Sequence, residues 1–522
     1  MFVKWQHVGL GAGALGAALV APAQVAHAQA KPGSAYVQCD GQPDNVSSGE
    51  TAARLLGAVT LLGLFAPSPE APDASKRKFG AEGVAACTSL LSGDKLESSA
   101  KRRLGLILGR AIHQIEAKNY EAAIADVALA RREAEAAGLT ADPYFVRSRG
   151  RAFDLVESAA LARLGRAEEA RQVSLRGAGA LQYALFGLFS TPTYGTLTAT
   201  PSEAEERLLE WRSRLAPAMA IPRADRLDLA GRFAESARIR DALAEYDSEH
   251  SPETNGSLIL AQAAVAHALA GNAAVAAERA KAARANSEQR KAAGKPESDA
   301  VQFIEALDLY SIVETANSGD LKAARRLFAA RSQWASASLG SVMEVNRRLR
   351  QGAAAEELIG GLARDSAQLW KEHVDTNRAA LASKDGDNRT LFALVPGLRS
   401  ASAYEAMSKN VWRTDKSKLI LKLKTDASKS KMELMYLPFT DPLVAMEAYV
   451  LHAALIARSR GHQGFVFTPI LSDKIAGGAF RSGNRGDKGF PADLFIPAED
   501  VIAKLGPVLP SPAAIAARPK AQ

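Results

Sequence analysis

Few residues in this chain are of types that could carry chemistry. Two cysteines, Cys39 and Cys87, stand 48 positions apart with no histidine between them. Two thiolates alone do not make a zinc site, which takes four ligands. In an oxidising compartment such a pair is most simply a disulfide, with two unpaired buried thiols as the alternative. A bridge would stabilise the fold by roughly 4 kcal/mol in the chain-entropy picture. There are eight histidines, and six of them (His113, His250, His267, His373, His452 and His462) lie beyond the amino-terminal segment. None forms H-x-x-x-H or H-E-x-x-H, so no helical metal site is predicted. No G-x-S-x-G elbow or S-x-x-K set supplies an activated serine. Glu168–Glu169 and Glu356–Glu357 fall on polar helix faces, where solvation is the ordinary role. No catalytic residue, cofactor or metal is assigned.

Two glycine-rich stretches raise the question of phosphate. Gly11–Gly16 reads GAGALG, the G-x-G-x-x-G of a dinucleotide turn, but that fingerprint needs a strand before it and a helix after. Here Lys4 precedes an apolar run (Val8–Val20) and then AHA and AQA, the three regions of a secretory signal peptide. The expected mature chain starts at Gln29 or Lys31, in the periplasm or outside the cell. The second stretch, GGAFRSGNRGDKGF (477–490), places Arg481, Arg485 and Lys488 among glycines whose N–H groups could approach an anion. It lacks a G-K-[ST] ending and is carried forward as an anion-binding loop to be checked.

Net charge is +8 over 522 residues, too mild to imply nucleic acid. The lysine-rich stretch 416–431 has no interleaved aromatics for base stacking. An exposed strand edge kept soluble by lysine is its ordinary explanation, and a weak, salt-sensitive attraction to anionic envelope material is the alternative. The longest internal apolar run, 52–65, contains Arg54 and is too short to span a bilayer, so no transmembrane segment is predicted.

The elements that would position any site are mostly helices. From 96 to 350 the chain is rich in Ala, Leu, Arg and Glu with helical periodicity. One local pattern recurs there: a turn residue (Lys118, Gly165, Gly231, Gly271, Gly319), then a small residue early in the next helix (Ala123, Ala170, Ser236, Ala276, Ala324). Val127, Ala280 and Phe328 follow as core positions, with Ala130 and Ala283 after them. The pattern resembles the tetratricopeptide (TPR) repeat of exported bacterial proteins. The turn residues are 40 to 66 positions apart rather than 34, so the repeats are divergent. The resemblance implies stacked helical hairpins with a concave face that binds a protein or peptide partner. The groove positions it implies are Leu258, Ala261, Val265 and Leu269 in one repeat and Ala306, Leu309 and Val313 in another.

After about 385 the grammar changes. RTLFALVP (389–396), KSKLILKLKT (416–425), KMELMYLPF (431–439), GFVFTPI (464–470) and ADLFIP (492–497) read as strands. Asp441 and Pro442 open a helix that runs to Arg460, and PAED opens a short last one. The expected organisation is a signal peptide (1–30), a disulfide-linked segment (31–95), TPR-like repeats (96–350), connecting helices (351–385), an α+β domain (386–509) and a disordered tail (510–522). The fold class is mostly α with a small C-terminal α+β domain. The expected role is a non-catalytic binding or scaffold protein. The alternative is an envelope-associated enzyme with its active site in the α+β domain.

Overall fold

The structure is a computed structural model and describes residues 33–44, 71–92, 96–184, 189–250, 256–295, 297, 299–331, 333–334, 338–383, 388–415, 419–421, 432–437, 442–472 and 475–518. The signal peptide, the apolar run 52–65, most of the lysine-rich strand and Asp441 lie outside these residues. In chain order the longer helices begin with α1 (Ala35–Asp40), α2 (Gly80–Leu91), α3 (Ala100–Glu116), α4 (Tyr120–Ala136), α5 (Arg149–Arg163) and α6 (Ala167–Leu175). Then come α7 (Glu203–Leu215), α8 (Ala220–Leu229), α9 (Phe233–His250), α10 (Gly256–Leu269), α11 (Ala273–Ala292), α12 (Ala300–Asn317), α13 (Leu321–Ala329) and α14 (Leu339–Arg350). Helices α15 (Ser366–Ser383), α16 (Asn388–Phe392) and α17 (Ala401–Val411) precede β1 (Ile420–Leu421), β2 (Glu433–Leu437), α18 (Pro442–Ser459), β3 (Gly464–Ser472), β4 (Ile475–Gly483), β5 (Ile496–Pro497), α19 (Ala498–Leu505) and α20 (Pro512–Ala516). The protein is mostly α-helical, with a small α+β domain at its C-terminal end.

The recurring sequence pattern has a direct conformational cause. Lys118, Gly165, Gly231, Gly271 and Gly319 all adopt positive φ, between 62° and 99°. At the first of these, Lys118 N–H donates to the Ile115 carbonyl and Asn119 N–H to that of Gln114. The same pair of bonds recurs at Gly165, Gly231 and Gly271, which is the Schellman closure of a helix end. The chain then turns into the next helix, and the small residue five positions after the turn residue is fully buried: Ala123, Ala170, Ser236 and Ala324 at 0 % exposure and Ala276 at 1 %. A side chain that small lets the second helix of each hairpin lie close against the first.

The chain forms two compact units, 1–173 with 374–398, and 174–373 with 399–522. These cut across the expected segments. In the first unit α3, α4 and α5 share a core built on Leu104, Leu108, Ile112, Val127, Phe145 and Phe153. Leu391 and Phe392 complete it. They belong to α16, so the stretch predicted as strand 389–396 is helical at its start. A short apolar run fits either form, and the packing partner decides. The N-terminal helix α1 is fastened to this unit by the predicted disulfide, Cys39–Cys87, with Cα atoms 4.8 Å apart. His113 Nε2 donates to the Cys39 carbonyl (2.7 Å), and a proton between His113 Nδ1 and Glu116 Oε2 (2.7 Å) completes the chain of bonds. Glu116 also accepts the Gly80 N–H (2.9 Å).

In the second unit, hairpins α10/α11 and α12/α13 pack with α14 and with Phe233 of α9 through Val265, Leu269, Ala276, Ala280, Leu309, Val313, Phe328 and Val345. The Pro/Thr-rich stretch before α7 is a loop, as composition predicts, but an internally bonded one. Arg226 donates to the carbonyls of Gly195 (3.0 Å) and Thr198 (2.8 Å) and pairs with Glu205 (2.8 Å). The sheet is antiparallel, ordered β1-β2-β4-β3-β5. Gly477 and Gly478, expected in a loop, lie inside β4, with Gly478 opposite Met435 of β2 and Pro469 of β3. Helix α18 is buried from Val444 to Ala457. Within it His452 is fully buried, and its Nδ1 donates to the Val411 carbonyl (2.7 Å). Burial lowers its pKa. The tail, predicted as disordered, includes the short helix α20.

Candidate binding cleft

The sheet domain shares a core with the helical hairpins. Val466, Phe490, Leu494 and Phe495 pack with Leu227, Ile239, Leu243, Tyr246 and Ile259 of α8, α9 and α10. Tyr246 and Thr468 join their hydroxyls at 2.5 Å. Beside this core opens a cleft of about 730 Å³, lined by α9, the start of α10, α11 and the turn between β4 and β5.

Helical spacing explains the α9 wall. Arg238, Asp241, Ala242, Glu245 and Ser248 recur three or four positions apart, so they share one face. Leu260, Ala242, Ala244, Pro491 and Ala492 give the cleft an apolar floor, and Arg238, Arg279, Asp241, Glu245, Asp247 and Asp493 give it charge. Asp241 is held from two sides, by Arg279 Nε (2.8 Å) and His267 Nε2 (2.9 Å). That bond to Asp241 raises the Arg279 pKa. Arg238 pairs with Asp493, and Arg223 lies 3.6 Å from the same carboxylate.

The turn that forms the far wall is fixed to α9 by bonds along its length. Gly489 N–H donates to Glu245 (2.9 Å), His250 Nε2 donates to the Gly489 carbonyl (2.7 Å), and Lys488 pairs with Glu249 (2.7 Å). Lys488 is engaged by a carboxylate, the Arg485 N–H is bonded to Gln463, and Arg481 lies on β4 with its guanidinium 5.0 Å over the Phe490 ring. The glycine-rich stretch is a strand end followed by a docked turn. Its glycines serve the sheet and the turn: Gly483 leaves room for the Phe490 ring, which a Cβ would meet at 2.4 Å.

Six of the seven groove positions implied by the TPR resemblance are buried. Ala261, Val265, Leu269, Ala306, Leu309 and Val313 are at most 5 % exposed, and Leu258 packs at the edge of the Ala261–Phe303 cluster. They are interhelix core, because the neighbouring hairpins cover the face that a regular array would leave open. His462 sits outside the cleft, its Nδ1 3.0 Å from the Ser482 hydroxyl. Among the described residues no cluster of three or more His, Cys, Asp and Glu could hold a metal ion, and no helix is long and apolar enough to cross a membrane. The residues that build the cleft were not singled out from sequence. The polar face of α9 was legible in its spacing, but the opposing turn lies more than 230 positions away.

No protein-family model, characterised protein or solved structure matches this chain.

Proposed function

We propose that this is an exported, non-catalytic binding protein, with divergent TPR-like hairpins, that takes an extended segment of a partner polypeptide into the cleft between α9, α11 and the 484–493 turn. The observation that carries the reading is the cleft itself. Its size falls in the range of ligand sites, and an apolar floor with a few oriented polar groups is the usual composition of one. The walls are cross-bonded through Asp241, Glu245 and Asp493, so little ordering cost remains to be met on binding. A segment laid there gains apolar burial on Leu260 and Pro491 and hydrogen bonds from the rim. Export is supported by the leader pattern of residues 4–30 and by the disulfide.

The test is selection of peptides from a random display library on the full-length, oxidised protein, followed by titration against Leu260→Arg. Leu260 is half-buried on the cleft floor at the edge of the Ala261–Phe303 cluster, so the variant puts a long charged side chain where the peptide would lie, and its unfolding temperature checks that it stays folded. The expected result is saturable binding that the variant weakens by at least roughly tenfold. A library that yields no binder, or equal binding by the variant, would overturn the proposal. Cleavage of the retained peptide would support the enzyme alternative instead.

A further inference from the structure

The first unit contains a cation that no acid among the described residues pairs with directly. Arg149 opens α5. It is half-buried, and its Nε is buried with no hydrogen-bond partner. The acid beside it is already used. Asp40 receives both arms of Arg102, Oδ2 at 2.6 Å and Oδ1 at 2.9 Å, and Oδ1 also accepts the Gln42 N–H. Arg102 is further bonded to the Gln42 carbonyl (3.0 Å) and is 6 % exposed. Arg149 therefore stands next to a satisfied ion pair, with no ion pair or hydrogen bond of its own among the described residues.

The space it occupies is kept open by a glycine. A Cβ on Gly105 of α3 would lie 2.5 Å from Arg149 Nη1, 3.2 Å from Arg102 Nη1 and 3.3 Å from Asp40 Oδ2. The two guanidiniums thus converge over one notch in α3, and the pair of them with Asp40 carries a residual charge of one positive unit. Burial holds the Arg149 pKa below its ordinary value, Arg102 pushes the same way and Asp40 opposes both. A guanidinium does not escape the desolvation cost by losing its proton, because its pKa is too high. An unpaired buried charge of this kind is expensive, and a hydrogen-bonded counter-ion removes most of the cost.

We infer that Arg149, supported by Arg102 across the Gly105 notch, binds a small oxyanion, with the guanidinium fork donating to two of its oxygens. Carboxylates and phosphate share that geometry. The site is in the first unit and is independent of the cleft. Equilibrium dialysis and thermal unfolding of the full-length, oxidised protein are run with inorganic phosphate, with acetate and with chloride alone at matched ionic strength. The expected result is one saturable site per chain and a rise in unfolding temperature with phosphate or acetate but not chloride; whichever of the two acts identifies the ligand's chemistry. Arg149→Gln abolishes both effects. Arg149→Lys keeps the charge but loses the fork and weakens binding roughly tenfold, a check that stands even if the glutamine variant does not fold. Absence of saturable binding by the wild type, or equal binding by the lysine variant, overturns the inference.

Discussion

The hairpins α3/α4 in the first unit and α10/α11 in the second begin from the same instruction and are finished differently. Each closes with a left-handed residue followed by a buried alanine, Lys118 with Ala123 and Gly271 with Ala276. In the first, α1 and α2 are joined to each other by the Cys39–Cys87 bridge and tied to the hairpin by the Asp40–Arg102 ion pair and by the bonds of His113 to the Cys39 carbonyl and of Glu116 to the Gly80 N–H. In the second no cysteine is present, and the hairpin is held by alanine packing and by Asp241, which ties α9 to Arg279 of α11 and His267 of α10. The lesson is that the turn and the small residue set where helices reverse, while the surroundings decide whether the outer face is closed or left open. The closed version carries the oxyanion notch, and the open one carries the cleft.

The two hairpins differ most in the disulfide beside the first. Cys39→Ala with Cys87→Ala should destabilise the first unit by about 2–5 kcal/mol. The second unit should keep its own transition, so calorimetry should resolve a lowered first transition beside an unchanged second one. A single transition that moves as a whole would show that the units do not differ in what holds them.

Overpacking asks whether the small residue has the same job in both hairpins. Ala123→Leu and Ala276→Leu should each cost about 1–3 kcal/mol by urea denaturation, because both sites are sealed. A near-neutral result at Ala276 alone would mean that the second hairpin packs loosely.

The turn residues should respond with opposite signs. Lys118 holds φ at 62° with a side chain that disfavours it, so Lys118→Gly should stabilise the first unit by up to about 1 kcal/mol. Gly271, at 84°, gains that strain in Gly271→Ala and should lose about 1 kcal/mol.

The smallest effect is one of pH in the second unit. Asp225 is pushed up to about 6, chiefly by burial and then by Asp228, with Arg240 opposing. The folded state thus favours its protonated form more than the unfolded chain does, where the group titrates near about 3.9. This contribution to stability is fully present below the unfolded value and is lost as pH rises through about 6. Solvent at the partly exposed Asp225 side chain keeps it modest. Asp225→Asn should flatten the slope of stability between those pH values, as read from denaturation midpoints.

How legible this was in the sequence depends on the range of the interactions. The hairpin turns were readable because a glycine or its substitute ends each helix there, and α18 and strands β2 and β3 because the length and composition of their apolar runs are local signals. The disulfide was readable because only one pairing of two cysteines exists. Residues 389–392 were misread because Leu391 and Phe392 become helical only in contact with the α3–α5 core. Gly477 and Gly478 were misread as loop because what admits glycine there is close approach across the sheet: a Cβ on Gly478 would meet the Phe467 ring at 2.6 Å. The groove residues were carried over correctly as apolar but assigned to the wrong environment, since neither repeat alone reveals what covers it. The cleft depends on Glu245 meeting Gly489 and Arg238 meeting Asp493, pairings that no local pattern announces.

Hydrogen exchange on the full-length protein, with and without a saturating peptide from the display selection, addresses the binding role most directly. Added protection is expected to concentrate in α9 (233–250) and in the turn 484–493, with the α3/α4 hairpin unchanged. Protection confined to other helices, or spread evenly over both units, would contradict the assignment of the cleft as the site.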